Sequence, residues 1–320
     1  MSRENIILNT IFYVILTAFF IYIFVKEKKI VAKIDKKRTI FEDYLVNKFN
    51  LNGKTSEKIL RKTIKLVESL GSALILVLII QKFYIGNFLV PTGSMIPTIV
   101  PKDRLFGNMV VYNFKAPERE DIIVFKEPIE DKVLYTFSPG NPITLLVYKR
   151  LMGLPGEKVQ IKYDRLFIDG KKISDREYTP LGELSYNEWI VPKKGDIITI
   201  EPGQNYNDTF EKENIDVAKV QSLLKENGAY VSQLLPDVKF LVNGVPTGMI
   251  LDFIHDQEVL NKLLKGETVT KTLDEDYYLA LGDNTNGSYD SRMWGFVKDS
   301  RIKGKALVRF WPLNRIGLLK

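Results

Sequence analysis

Two hydrophobic textures follow one another along the chain. From Ile6 to Val25 nearly every position is Ile, Leu, Phe, Val, Tyr or Ala. About twenty such residues make a helix of about 30 Å, the depth of a bilayer's hydrocarbon core. A cleavable leader would end in a small-x-small site, but Lys26, Lys28 and Lys29 follow instead, so the segment reads as a retained anchor. A second apolar stretch starts at Leu66 and runs toward Val90, with Ala73 to Ile80 as its centre and residues 66–86 as its spanning part. Glu68 and Lys82 shorten the uninterrupted run, which leaves a buried core helix as the alternative to a second span.

Beyond Val90 the runs become short, partly alternating, rich in Val, Ile, Phe and Tyr, and bounded by Gly, Pro, Asn and Asp. That texture predicts an antiparallel β-rich domain over 91–320. Strands are expected at Leu105–Tyr112, Ile122–Lys126, Thr144–Met152, Lys158–Ile161, Leu166–Ile168, Ile197–Ile200, Tyr277–Leu281 and Ala306–Phe310. Asp169-Gly170 and Asn243-Gly244 fall between strand-like runs, where a tight hairpin turn needs positive φ. Between 204 and 270, helical periodicity at Val217–Lys225 and Asp252–Lys265 frames the second hairpin, and a small inserted α+β subdomain is expected. The expected fold is mainly β, anchored by two N-terminal transmembrane helices.

Charge adds a direction to this picture. The chain has 46 Lys and Arg against 39 Asp and Glu, a formal net charge of +7, and the excess is local. Lys26, Lys28, Lys29, Lys33, Lys36, Lys37, Arg38, Lys48, Lys54, Lys58, Arg61 and Lys62 lie between the apolar segments, while the N-terminal tail has only Arg3. The positive-inside rule then makes this connection a solvated cytoplasmic loop and sends everything after Val90 outward. No basic and aromatic stripe accompanies the charge, so anionic lipid is the expected partner and nucleic acid is not.

Composition also narrows the chemistry. With no cysteine there is no disulfide, thiol nucleophile or zinc–thiolate site. The one histidine, His255, excludes a two-histidine metal site and has no catalytic motif around it. Neither a metal nor an organic cofactor is expected.

Three segments carry candidate chemistry. Phe88-Leu89-Val90-Pro91-Thr92-Gly93-Ser94-Met95-Ile96-Pro97-Thr98 directly follows the second apolar stretch. Gly93 permits close backbone approach, Pro91 and Pro97 restrain the flanks, and the Ser94 amide with the Thr92 hydroxyl can face a developing oxyanion. A plain turn leaving the membrane is the alternative. In Thr144-Leu145-Leu146-Val147-Tyr148-Lys149-Arg150-Leu151-Met152, alternation sends Lys149 to the face of Leu145, Val147 and Leu151, and Arg150 to the other. Burial disfavours the charged amine and turns a lysine into a base; a solvent-facing lysine on an amphipathic strand is the alternative. The loop Gly282-Asp283-Asn284-Thr285-Asn286-Gly287-Ser288-Tyr289-Asp290-Ser291-Arg292 is dense in hydrogen-bonding side chains. Ser288 can aim a lysine amine, and Asp290 can pair with Arg292.

In this order the three segments, with the strand Asp121-Ile122-Ile123-Val124-Phe125, resemble the conserved boxes of type I signal peptidases, over essentially the whole chain. The resemblance implies a membrane-bound serine endopeptidase that removes leader peptides from exported preproteins. It makes Ser94 the nucleophile, Lys149 the base, and the Ser94 amide with Thr92 the oxyanion hole. Ser288 matches the serine that orients the lysine, and Asp290 and Arg292 match the pair that shapes the loop. Phe88, Val90, Met95, Ile99, Val147 and Tyr148 match the lining of shallow pockets for small residues such as Ala. Thr92 stands where a serine is common, and Val147 where a larger residue is common. The resemblance further implies a bacterial plasma membrane, an extracytoplasmic catalytic domain and a link to the secretion machinery. A rival reading is a membrane-tethered β-domain that binds exported chains without cutting them, and such a binder has no need of a serine–lysine pair.

Overall fold

The first part of the chain forms three helices in the computed structural model, which describes residues 3–51, 53–128, 146–226 and 228–319. They are α1 (Arg3–Val25), α2 (Glu27–Lys48) and α3 (Lys54–Phe83). The chain divides into two compact units, Arg3–Ile85 and the residues from Gly86 onward. Within the first unit, Lys54–Gln81 is the one helix among the described residues long and apolar enough by itself to cross a membrane. Thr10–Val25 passes only together with α2, from which it is bent by 72°.

The basic connection, expected as a solvated loop, is helical through α2 and the first turns of α3. Ile30, Ile34, Phe41 and Leu45 recur at helical spacing, and ion pairs relieve the crowding of cations. Arg38 pairs with Glu68 at 3.0 Å, and Arg61 with Glu42 at 2.9 Å, Asp43 at 2.6 Å and Glu57 at 2.9 Å. Glu42, buried on α2, lies against both arginines.

The second unit is built on antiparallel sheets. Its chain lays down β1 (Ile85–Leu89), β2 (Arg104–Asn108), β3 (Ile122–Lys126) and β4 (Leu146–Gly153). It then leaves for a small sheet of β5 (Lys158–Lys162), β6 (Arg165–Ile168), β7 (Lys171–Lys172) and β8 (Trp189–Ile190). A third sheet follows, made of β9 (Ile197–Glu201), β10 (Lys239–Val242), β11 (Val245–Thr247) and β12 (Val269–Thr272). The chain finally returns to the first sheet with β13 (Tyr277–Leu281), β14 (Val297–Lys298), β15 (Ile302–Trp311) and β16 (Gly317–Leu318). The first sheet is ordered β1-β2-β15-β3-β4-β13-β14, with β16 on β15, so late strands flank early ones. The start of the expected strand at Thr144 and Leu145 lies outside the described residues.

Strands that read as unbroken apolar runs are buried on both faces. In β3, Ile123 and Phe125 join the larger core while Ile122 and Val124 join a smaller one with Val90, Met95, Ile99 and Tyr148. All five residues of β13 are buried. The two hairpin turns have the required geometry, with φ of 48° and 74° at Asp169-Gly170 and 50° and 80° at Asn243-Gly244.

Between β9 and β12 the described residues form the α-helices α4 (Tyr206–Lys212), α5 (Val217–Glu226), α6 (Val231–Leu234), α7 (Leu251–His255) and α8 (Gln257–Leu264). The single helix expected over Asp252–Lys265 is broken at Asp256. This residue turns extended, and its carboxylate accepts the N–H groups of Glu258 and Val259 to cap α8. Tyr206, Phe210, Val220, Leu224, Val259, Leu260 and Leu263 belong to the same core as Ile123, Phe125 and Leu151. His255 ends α7, half-buried and away from the three motifs in sequence.

Candidate active site

Ser94 lies in the loop between β1 and β2, whose base is closed by Val90 N–H to Asp103 O at 3.0 Å and Lys102 N–H to Val90 O at 2.9 Å. Val90, Met95 and Ile99 are buried beneath, so apolar packing pins the loop and leaves Ser94 half-buried above it. The Thr92 hydroxyl lies 3.5 Å from Ser94 Oγ. From the other side, Asn284 donates its N–H to Ser94 O and its side-chain amide to Gly93 O, both at 3.0 Å.

Lys149 occupies the middle of β4 opposite Ile123 of β3. It shares the face of Val147 and Leu151 and is only 4% exposed. That burial lowers its pKa from the ordinary lysine value; the Asp290 and Glu127 carboxylates pull upward and Arg292 pulls down again. Its neighbour Arg150 turns the other way, donating through Nε to Asp283 Oδ1 at 2.9 Å and through Nη2 to Oδ2 at 2.7 Å.

The loop after β13 ties these parts together. Asp283 also accepts from the Thr98 hydroxyl at 2.5 Å and from Arg176. Burial alone would push the Asp283 pKa up, but hydrogen bonds from Arg150 and Thr98 and the charges of Arg150 and Arg176 hold it below the ordinary carboxylate value. Further on, Asp290 and Arg292 form a buried bidentate pair at 2.8 Å and 2.8 Å. Asp290 also accepts the Gly282 N–H at 2.9 Å and caps the short helix α9 (Ser291–Trp294). Gly282 is the point of closest approach: a Cβ there would stand 2.0 Å from Ser288 Oγ and 2.6 Å from Ser94 O. Only glycine lets Ser288 and the Ser94 peptide sit on either side of it. Ser288 itself is buried, and its hydroxyl makes no hydrogen bond among the described residues.

Of the six candidate pocket residues, Phe88, Val90, Met95, Ile99 and Tyr148 pack together, with the Phe88 and Tyr148 rings edge to face at 5.9 Å. Val147 lies on the opposite face of β4 against the larger core, as alternation requires. Sequence reasoning gave no role to Gly282, Asp283, Asn284, Thr98, Arg150 or Arg176. Gly282, Asp283, Asn284, Thr98 and Arg150 stand inside the three motifs, so a signal existed for these. Arg176 lies in an unremarkable loop and offered none.

Ser94 on the β1–β2 loop, Lys149 on the interior strand β4 and the hydrogen-bonded loop after β13 thus come from three separate parts of the chain, the first two joined by Asn284 and Asp283 of the third. The family model described as signal peptidase, peptidase S26, matches residues 63–311. The chain is 30% identical over 254 residues to signal peptidase I of Leptolyngbya laminosa, covering 79% of this chain and 82% of that one. It is 27% identical over 287 residues to signal peptidase I of Buchnera aphidicola subsp. Baizongia pistaciae, covering 84% of each. A crystal structure of a signal peptidase I from Enterococcus faecalis V583 aligns at 25% identity over 60% of this chain and 97% of that one, with a TM-score of 0.23.

Proposed function

The chain belongs to the signal peptidase family, peptidase S26, and on that premise we propose a membrane-bound serine endopeptidase that uses Ser94 as nucleophile and Lys149 as general base to cut signal peptides from exported preproteins. The observation that carries this reading is the burial of Lys149. An ordinary lysine, with a pKa near 10.4, is almost wholly protonated at neutral pH and cannot take a proton from serine. Lys149 is only 4% exposed, and that burial lowers its pKa from the ordinary lysine value, the direction a lysine base requires.

Ser94 Oγ attacks the scissile carbonyl carbon as its proton passes to Lys149 Nζ. The charge that develops on the carbonyl oxygen is met by the Ser94 N–H and the Thr92 hydroxyl. Collapse of this intermediate breaks the C–N bond, and the lysine proton goes to the leaving amine. The neutral lysine then takes a proton from water as the water oxygen attacks the ester carbon; collapse breaks the bond from that carbon to Ser94 Oγ, and the lysine returns the proton to Oγ. Ser288 aims the amine, and the Asp290–Arg292 pair stiffens the loop that carries it. Phe88, Val90, Met95, Ile99 and Tyr148, with Val147 behind them, line shallow pockets for small side chains before the cut.

In this reading α1 and α3 span a bacterial plasma membrane, and the basic α2 and the start of α3 face the cytoplasm and its anionic lipid. The unit from Gly86 onward works on the outer side, on preproteins delivered by the secretion machinery. The test is cleavage of a preprotein with an Ala-x-Ala site by wild type, Ser94→Ala and Lys149→Ala in detergent. It runs from about pH 6 to about pH 10, the window over which a desolvated lysine deprotonates. Both variants are expected to be inactive, with wild-type activity rising with pH. Normal cutting by Lys149→Ala would overturn the dyad.

A further inference from the structure

Residues 174–187 contain none of the three motifs, yet they cross the loop 282–292 at three successive points. Arg176 Nη1 donates to Asp283 Oδ1. Thr179 donates its hydroxyl to Asn286 Oδ1, lies 3.4 Å from the Thr285 hydroxyl, and accepts Arg292 Nη1 on its carbonyl at 2.9 Å. Gly182, at φ 63°, passes so close that a Cβ would stand 2.0 Å from the Arg292 carbonyl oxygen. Tyr178 and Leu184 are fully buried, and the Tyr178 N–H bonds Asp164 O at 2.9 Å, so the crossing segment is itself anchored.

We propose that residues 174–187 form a positioning strap for the catalytic loop, with Arg176 and Thr179 as its two grips. The proposal rests on the catalytic reading given above and adds residues to it. Arg150 already balances the charge of Asp283 with a bidentate pair, so Arg176 is not needed for neutralisation. What Arg176 adds is a second direction of restraint. Asp283 then joins four stretches of chain: Thr98 four residues after the nucleophile, Arg150 beside the base, the loop itself, and the strap. Pro180 and Ser185 border a cavity of about 310 Å³ against Ile161, Lys162, Tyr163 and Asp164. The strap is bonded to the catalytic loop on one side and held to its own sheet by Tyr178, Leu184 and the Tyr178–Asp164 hydrogen bond on the other. Reacting groups lose rate steeply when displaced by about 1 Å, and this geometry guards the loop bearing Ser288, Asp290 and Arg292 against such displacement.

The test uses the full chain in detergent and the variants Arg176→Ala, Arg176→Lys, Thr179→Val and Gly182→Ala. Removing one charge-assisted grip is expected to lower kcat on the order of tenfold. KM is expected to stay within about twofold, because the grips fall on Asp283, Asn286 and Arg292 and not on a pocket side chain. Amide exchange over 282–292 is expected to quicken on the order of tenfold in Arg176→Ala, reporting loss of local order. Arg176→Lys is expected to recover most of kcat, since one donor makes the observed contact. Gly182→Ala is expected to be the most severe, because its Cβ displaces the strap from Arg292. Unchanged kcat and exchange in both Arg176→Ala and Thr179→Val overturn the strap, as does a rise in KM with kcat constant. Ser94→Ala is measured beside them: if it still cuts, the catalytic reading fails, while the exchange data still decide the strap.

Discussion

Arg150 and Asp283 meet as a bidentate pair in the interior, 2.9 Å and 2.7 Å between donors and acceptors, with side chains 3% and 1% exposed. The pair links the strand of Lys149 to the loop that holds the Ser94 peptide. Removing one partner of such a pair strands the other charge in the interior, which typically costs about 3–5 kcal/mol. Asp283→Ala takes this carboxylate from Arg176 and from Arg150, which keeps only the half-exposed Glu120 at 3.4 Å, and denaturant unfolding is expected to show a loss of that order. The acid limb follows from the lowered pKa of Asp283. Its stabilisation is complete above the unfolded carboxylate value of about 3.9 and is lost as pH falls through the lower folded value. Asp283→Asn is expected to lack this limb; a variant that keeps the wild-type acid dependence would show that the limb belongs to other carboxylates.

Gly282→Ala tests the close approach of Ser288 to the Ser94 peptide. The added methyl would stand 2.0 Å from Ser288 Oγ, 2.4 Å from its Cβ and 2.6 Å from Ser94 O. A side-chain rotation cannot relieve all three contacts, because one partner is backbone. The loop and the serine segment must separate, and a displacement of about 1 Å costs on the order of a hundredfold in rate. Steady-state cleavage is expected to show that loss in kcat, and retention of wild-type kcat would mean that the two segments are not held at this spacing during catalysis.

The apolar N-terminal helices, the turns and the strands with strong β texture were legible in the sequence because their signals are local. Strand β3 lies at Ile122–Lys126 as expected, and both Asn-Gly and Asp-Gly turns adopt positive φ. Helix α2 was missed because its lysines mask an apolar stripe, and the ion pairs that tolerate them come from α3. The break at Asp256 was missed because a side-chain cap outweighs weak helical periodicity. At the site, Ser94, Lys149 and the loop were visible as motifs. The grip of Asp283 on Thr98, Arg150 and Arg176 was not, since it joins residues separated by 185, 133 and 107 positions. Such convergence arises only when β13 returns to pair with β4.

Burial of Lys149 has a consequence for stability with a definite sign. Its folded pKa lies below that of the unfolded chain, near 10.4. Between the two values the unfolded chain binds the extra proton, so stability rises with pH across that window and levels off above it. Below the folded pKa the native state has to house a charged amine in an apolar site. Lys149→Met removes this cost, and its thermal midpoint is expected to exceed that of wild type at neutral pH, with the gap closing as pH approaches about 10.4. A gap independent of pH would mean that the amine is solvated.

Ser288 separates structural from catalytic roles. Its hydroxyl is buried, 5% exposed for the residue, and makes no hydrogen bond among the described residues. Leaving a buried hydroxyl without a partner costs about 1–3 kcal/mol. Replacing it by a methyl-sized side chain removes that cost, so Ser288→Ala is expected to be as stable as wild type or more so. If the hydroxyl acts by aiming the Lys149 amine, the same variant loses kcat on the order of a hundredfold, within the range contributed by a positioned acid–base partner. A thermal melt and a kcat measurement on one preparation decide between the roles. Stability retained with activity lost assigns Ser288 to the reaction, whereas a parallel fall in both shows that its hydroxyl holds the fold.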